Sequence, residues 1–196
     1  MIAQQAQPLS SATSVKEADL PWNVLATAKD KEQRQLARRL GRFGDFRWTQ
    51  FRGVLVGRVE DQQAFFEQLR RCEENEPGFL RPLAKMVPID RLFTFTVENL
   101  PTVLKQMMAD YVDVIDSGTF YVRVERRGHA GAFHSRELEQ GLDRAVAESL
   151  TVRGEAPVVS FDDPDVILAV ETVGDECGVG ALTRALRSRF PFIRVP

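Results

Sequence analysis

GTFYVRVERRGHAGAFHSRELEQGL, residues 118–142, changes its period halfway along, and the change sets the local fold. Phe120, Val122 and Val124 alternate with Tyr121, Arg123, Glu125 and Arg127, which is a strand with one apolar and one polar side. Gly128 and Gly131 break it. From Ser135 onward, Leu138, Leu142, Ala145, Val146 and Leu150 recur at helical spacing, with Ser135 placed to cap the helix and Glu137 suited to its first turn. The turn between strand and helix gathers Arg123, Arg126, Arg127, His129, His134 and Arg136, including both histidines of a chain whose net charge is only -2. Two readings compete: a solvated strand end, or a surface that holds an anion.

Working outward, ENLPTVLKQMMADYVDVI (98–115) reads as one helix, with Asn99 as cap and Pro101 in its first turn. Downstream, PVVSF and VILAVETV read as strands around DDPD, whose Asp162, Asp163 and Asp165 suit a tight turn. GVGALTRALRSRF reads as a short final helix or turn. The first half runs strand (WNVLATA), helix (30–43, with Asp30 as cap), and a hairpin of DFRWTQF and GVLVGRV around Arg52-Gly53. A second helix (61–75, with Asp61 as cap) and a last strand over PLAKMVPIDRLFTF, interrupted by Pro88, complete it. That β-α-β-β-α-β order closes a ferredoxin-like sheet. The chain is therefore expected to be α+β, with a flexible segment over 1–20, a ferredoxin-like domain over 21–95 and a second domain over 96–196.

Composition is that of a globular protein, 43% hydrophobic and 28% charged. No apolar run suggests a membrane span or secretion signal. Cys72 and Cys177 stand too far apart in sequence for a disulfide framework, and a reducing cytoplasm is the simplest compartment. The near-zero net charge hides segregation. Lys31 to Arg58 holds eight basic residues against two acids; Glu60 to Glu76 holds six acids against two arginines. Arg184, Arg187, Arg189 and Arg194 close the chain without an acidic neighbour.

The strand with its basic end, the Gly-containing turn with an aromatic, the Ser-led helix and the following VVSFDDPDVILAVETVGDECGVG resemble the THUMP domain, an RNA-binding module of tRNA-modifying proteins. NVLATA, GVLVGRV and MVPIDRLF are similar to the ferredoxin-like domain that accompanies it. The match extends over roughly residues 22–196 and most resembles the stand-alone members of the family, tRNA-binding adaptors of the cytidine acetyltransferase that makes N4-acetylcytidine. The resemblance implies a cytoplasmic, non-catalytic adaptor that presents tRNA to a separate modifying enzyme such as a cytidine acetyltransferase. It implies no cofactor and no membrane. It leaves no room for the catalytic domain other members carry. Two alternatives stand beside it, an interaction module without RNA binding and an enzyme with an unrecognised site.

On this reading Arg123, Arg126, Arg127, His129, Phe133, His134, Ser135 and Arg136 form the RNA-binding surface. Planar guanidinium groups suit phosphate, and a helix N-terminus offers amides to an anion. Phe133 either stacks on a base or anchors the turn in the core. Alternation predicts Arg123 and Arg127 free of the core, with Arg126 emerging at the strand's end. No spacing of His129, His134 and Cys177 fits a metal, GDECGVG fits no phosphate loop, and no nucleophile-base pair is arguable.

Overall fold

The computed structural model describes residues 21–196, and the lead-in expected over 1–20 lies outside them. Val24–Ala28 (β1), Gln33–Leu40 (α1), Asp45–Trp48 (β2), Val54–Arg58 (β3), Gln62–Asn75 (α2) and Leu83–Pro88 (β4) follow in the predicted order. Their strands pair antiparallel as β2-β3-β1-β4, the ferredoxin-like arrangement. Helix α2 begins as expected: Asp61 accepts from the Ala64 amide at 2.8 Å, and Phe65, Phe66 and Leu69 enter the core. Helix α1 is shorter than expected and carries no side-chain cap. Lys31 takes a positive φ of 64°, and Asp30 accepts from Arg52 at 2.6 Å instead of capping the helix.

The single strand expected over 82–95 is two strands in two sheets. Pro88 ends β4, and Arg91–Thr94 (β5) joins the second sheet. The exchange shows in adjacent amides: Ile89 donates to Asn23 O in the first sheet, and Asp90 to Val179 O in the second, at 2.9 and 2.8 Å.

The second sheet has the order β5-β9-β8-β6-β7, with β6 at Thr119–Glu125, β7 at Val158–Val159, β8 at Val166–Val173 and β9 at Glu176–Thr183. The helix expected over 98–115 is α3 (Leu100–Met108), a 3-10 turn and a short α4 (Val112–Ile115). Ser135–Val152 is α5, and Arg184–Arg189 is α6. β6 is parallel to both β7 and β8, one on each side. The DDPD segment is therefore no hairpin turn. It carries the chain across the start of β6, where Asp165 accepts from the Thr119 amide and hydroxyl, each at 2.8 Å.

β9 was hidden by its glycines. A Cβ at Gly180 would lie 2.0 Å from Pro88 O, and one at Gly178 would lie 2.9 Å from the Ile89 side chain. The link between the sheets runs directly over this strand, so only bare backbone fits.

β8 is buried along its whole length because both of its faces are covered. Val166, Leu168 and Val170 join a core with residues of α3 and α5, whereas Ile167, Ala169 and Val173 join the core of the first sheet. The elements stack as helices, sheet, sheet, helices. Phe190 and Ile193 return to the first core, Ile193 bridging to Met86 of β4. No helix among the described residues is long and apolar enough to cross a membrane.

Candidate nucleic-acid interface

β7 pairs with β6 only at Thr119 and Phe120, so β6 has an open edge from Val122 onward. Its edge amides are taken by side chains of α5. Val122 N donates to Asp143 Oδ1 at 2.7 Å, and Val124 N to Glu139 Oε1 at 2.8 Å. The four-residue spacing of these carboxylates puts both on the helix face over the strand. Burial pushes the Asp143 carboxyl up to about 6, although the Val122 amide bond partly offsets it.

Above these carboxylates opens a groove of about 640 Å³, lined on its rim by Arg123, Arg126, Ser135, Arg136 and Phe161. Arg126 donates to Gly128 O at 2.7 Å, and its guanidinium lies 5.7 Å from the centre of the Phe133 ring. Arg123 lies 3.7 Å from Glu139 and buries its Nε without a hydrogen-bond partner among the described residues. Arg136 is exposed in the first turn of α5. A cation there opposes the helix dipole, and Arg136 takes no hydrogen-bond or ion-pair partner among the described residues.

Not every expected residue reaches this groove. Arg123, Arg126, Ser135 and Arg136 line it. Phe133 is half-buried against the second core, behind Arg126, so anchoring is the role its contacts support. Ser135 does not cap α5: His134 holds the cap position, without a side-chain bond, and its ring is exposed. His129 turns the other way with φ 48°, its Nε2 2.9 Å from Asp175 in the turn between β8 and β9.

Arg127 corrects an expectation. Its side chain is only 12% exposed, paired with Glu171 and, at 3.4 Å, with Glu125. Glu171 is fully buried and also takes Lys85 Nζ of β4 at 3.0 Å. Arg127 does lie opposite Val122 and Val124, but that face is covered by the first domain. Gly128 makes the fork in the turn possible: its φ is 102°, and a Cβ would lie 3.3 Å from Gly174.

Glu139, Asp143 and Phe161 are among the groove residues that escaped the sequence reading. Glu139 and Asp143 carried a signal, two acids one turn apart on the helix face nearest an apolar strand. Phe161 carried only its place beside the aspartates, yet it is 74% exposed and lies 5.2 Å from the Tyr121 ring. The C-terminal arginines are occupied elsewhere: Arg184 and Arg187 bind the DDPD segment, Arg189 pairs with Glu67, and Arg194 donates to Ala84 O. Among the described residues no cluster of side chains is placed to hold a metal.

The family model of the THUMP domain matches residues 96–182. Solved structures similar in fold include PH1313 from Pyrococcus horikoshii Ot3, at TM-score 0.55 and 11% identity, over 82% of this chain and 54% of that one. TrmN from Thermus thermophilus aligns at TM-score 0.54 and 19% identity, over 81% of this chain and 44% of that one. A possible methylase from Clostridium difficile 630 aligns at TM-score 0.55 and 13% identity, over 82% and 40%. The chain thus spans about half or less of the length of these structures. No curated protein sequence matches it. Residues 96–182, which carry the open edge of β6 and the arginine-rimmed groove, are the part of the chain that the THUMP domain model matches, and a sheet of ferredoxin-like order precedes them.

Proposed function

We propose that the chain binds tRNA through this groove and acts as a non-catalytic adaptor, presenting the RNA to a separate modifying enzyme. Cytidine N4-acetylation is the modification to which the family resemblance points. The observation that carries the reading is the convergence of Arg123, Arg126 and Arg136 on one open groove of a THUMP domain. Guanidinium groups held there meet phosphate oxygens in pairs. The first domain exposes further basic residues, Arg34, Arg38, Arg42, Arg47 and Arg52, of which Arg52 pairs with Asp30 and Arg47 lies 4.0 Å from Glu176. Phosphate contacts position the RNA without reading sequence, so selectivity comes from tRNA shape and from unpaired bases.

The test is an electrophoretic shift with total tRNA across a salt series. Binding should weaken with log salt by ~0.7–0.9 per phosphate neutralised. A salt-independent affinity, or none, overturns the reading. The adaptor role is tested by nucleoside analysis of tRNA incubated with the protein alone. A new modified nucleoside in that reaction would make it an enzyme.

A further inference from the structure

We propose that the groove seats one unpaired nucleotide whose base bears an exocyclic amine, the ring lying on Phe161 and the amine on Glu139 and Asp143. This rests on the RNA-binding reading and deepens it. Glu139 and Asp143 hold the β6 edge, but on the floor of the groove their charge also repels the anion that the arginine rim attracts, so phosphate alone does not complement the site. Each carboxylate gives one oxygen to the β6 edge, and the other oxygen takes no hydrogen bond from a described residue. Residues whose amides face the edge also turn their carbonyls there, so Val122 and Val124 add further acceptors. Ser135 and Gln140 of the lining can donate or accept, and Glu125 adds an acceptor, but the floor carboxylates only accept and the rim arginines only donate. A ligand that fits both brings negative charge to the rim and N–H groups to the floor.

Phe161 adds the third requirement. Its 74% exposed ring offers a flat apolar face beside Tyr121, at the mouth of the same groove. A nucleotide has all three features: phosphate, a stacking face and an edge of donors. Cytosine, adenine and guanine carry the amine, whereas uracil offers only its ring N3–H, flanked by two carbonyl oxygens that the carboxylates repel. In a duplex the amine is paired and the face is covered, so the base that enters is unpaired.

Fluorescence anisotropy with labelled tetracytidylate and tetrauridylate tests this, since length and phosphate charge are equal. The cytidine oligomer should bind at least ~5-fold more tightly, the scale of a specific base-edge contact. Glu139→Gln keeps a carbonyl for the Val124 amide but turns the free oxygen into a donor. It should erase or reverse the preference with the melting temperature unchanged. Phe161→Ala should weaken both oligomers by ~5-fold or more, the loss of one stacked base. Equal binding of the two oligomers, or an unaffected Phe161→Ala protein whose tRNA binding still depends on Arg136, overturns the base seat alone. Absence of binding to any RNA takes down this inference and the RNA-binding reading together.

Discussion

Arg126 and Arg127 are adjacent in the chain, yet one rims an open groove over α5 and the other lies in a charge network between two sheets. Arg127 meets Glu171, which is fully buried and held also by Lys85 from the other domain. Arg126 meets a carbonyl of its own turn and the face of Phe133. The difference teaches that a basic cluster read along a strand end is two clusters in space. One fastens the domains, and the other is available to a ligand.

Breaking the fastening should have the largest effect. Arg127→Ala leaves Glu171 buried with one cation instead of two, and should lower unfolding free energy by ~3–5 kcal/mol in a denaturant titration. An unchanged midpoint would show that Glu171 does not depend on Arg127. Gly180→Ala attacks the same interface through the backbone. Its Cβ would meet Pro88 O at 2.0 Å, so the sheets must separate locally, at a cost of about 3 kcal/mol. A variant as stable as the parent would mean that the link over β9 yields freely.

The groove side should respond differently. The Asp143 carboxyl is raised to about 6 from 3.8, so the folded state holds its proton more tightly than the unfolded state does. That contribution to stability is complete below pH ~4 and is lost as pH rises through ~6. Asp143→Asn keeps an acceptor for the Val122 amide and removes the charge. It should therefore stabilise the protein at pH 7 by on the order of 2 kcal/mol and flatten the decline between pH 4 and 6. A decline that persists in the variant would assign it to another group.

The smallest expected effect concerns binding alone. Arg126→Ala and Arg136→Ala should each weaken tRNA binding by ~1 kcal/mol and lower the salt slope by ~0.7–0.9, with little change in melting temperature. If Arg126→Ala unfolds the protein as Arg127→Ala does, the contrast between the two arginines disappears.

Much of this was legible in the residues. The ferredoxin-like order followed from apolar periodicity and from Asp61 before α2. The alternation of Phe120, Val122 and Val124 named the buried face of β6, and the helical repeat from Leu138 to Leu150 named the face of α5. The elements that escaped share one cause. β9 carries glycines where another domain's backbone passes, so its strand pattern is broken by a contact with residues about ninety positions earlier. β4 and β5 read as one apolar run because β4 is mostly buried and Leu92 and Phe93 of β5 continue its apolar pattern, though in a different sheet.

The sequence by itself determined which residues of β6 lie opposite one another, since a strand alternates with period two whatever surrounds it. It also placed the basic residues at the strand's end. Only the tertiary structure decided that the polar face is largely covered as well, because the cover comes from a domain distant in the chain. The first sheet lies over Tyr121, Glu125 and Arg127, so much of the side predicted to be free is covered, while Arg123 reaches the groove. At the edge of β6, β7 stops after two residues, and the stretch left open beneath α5 becomes the groove.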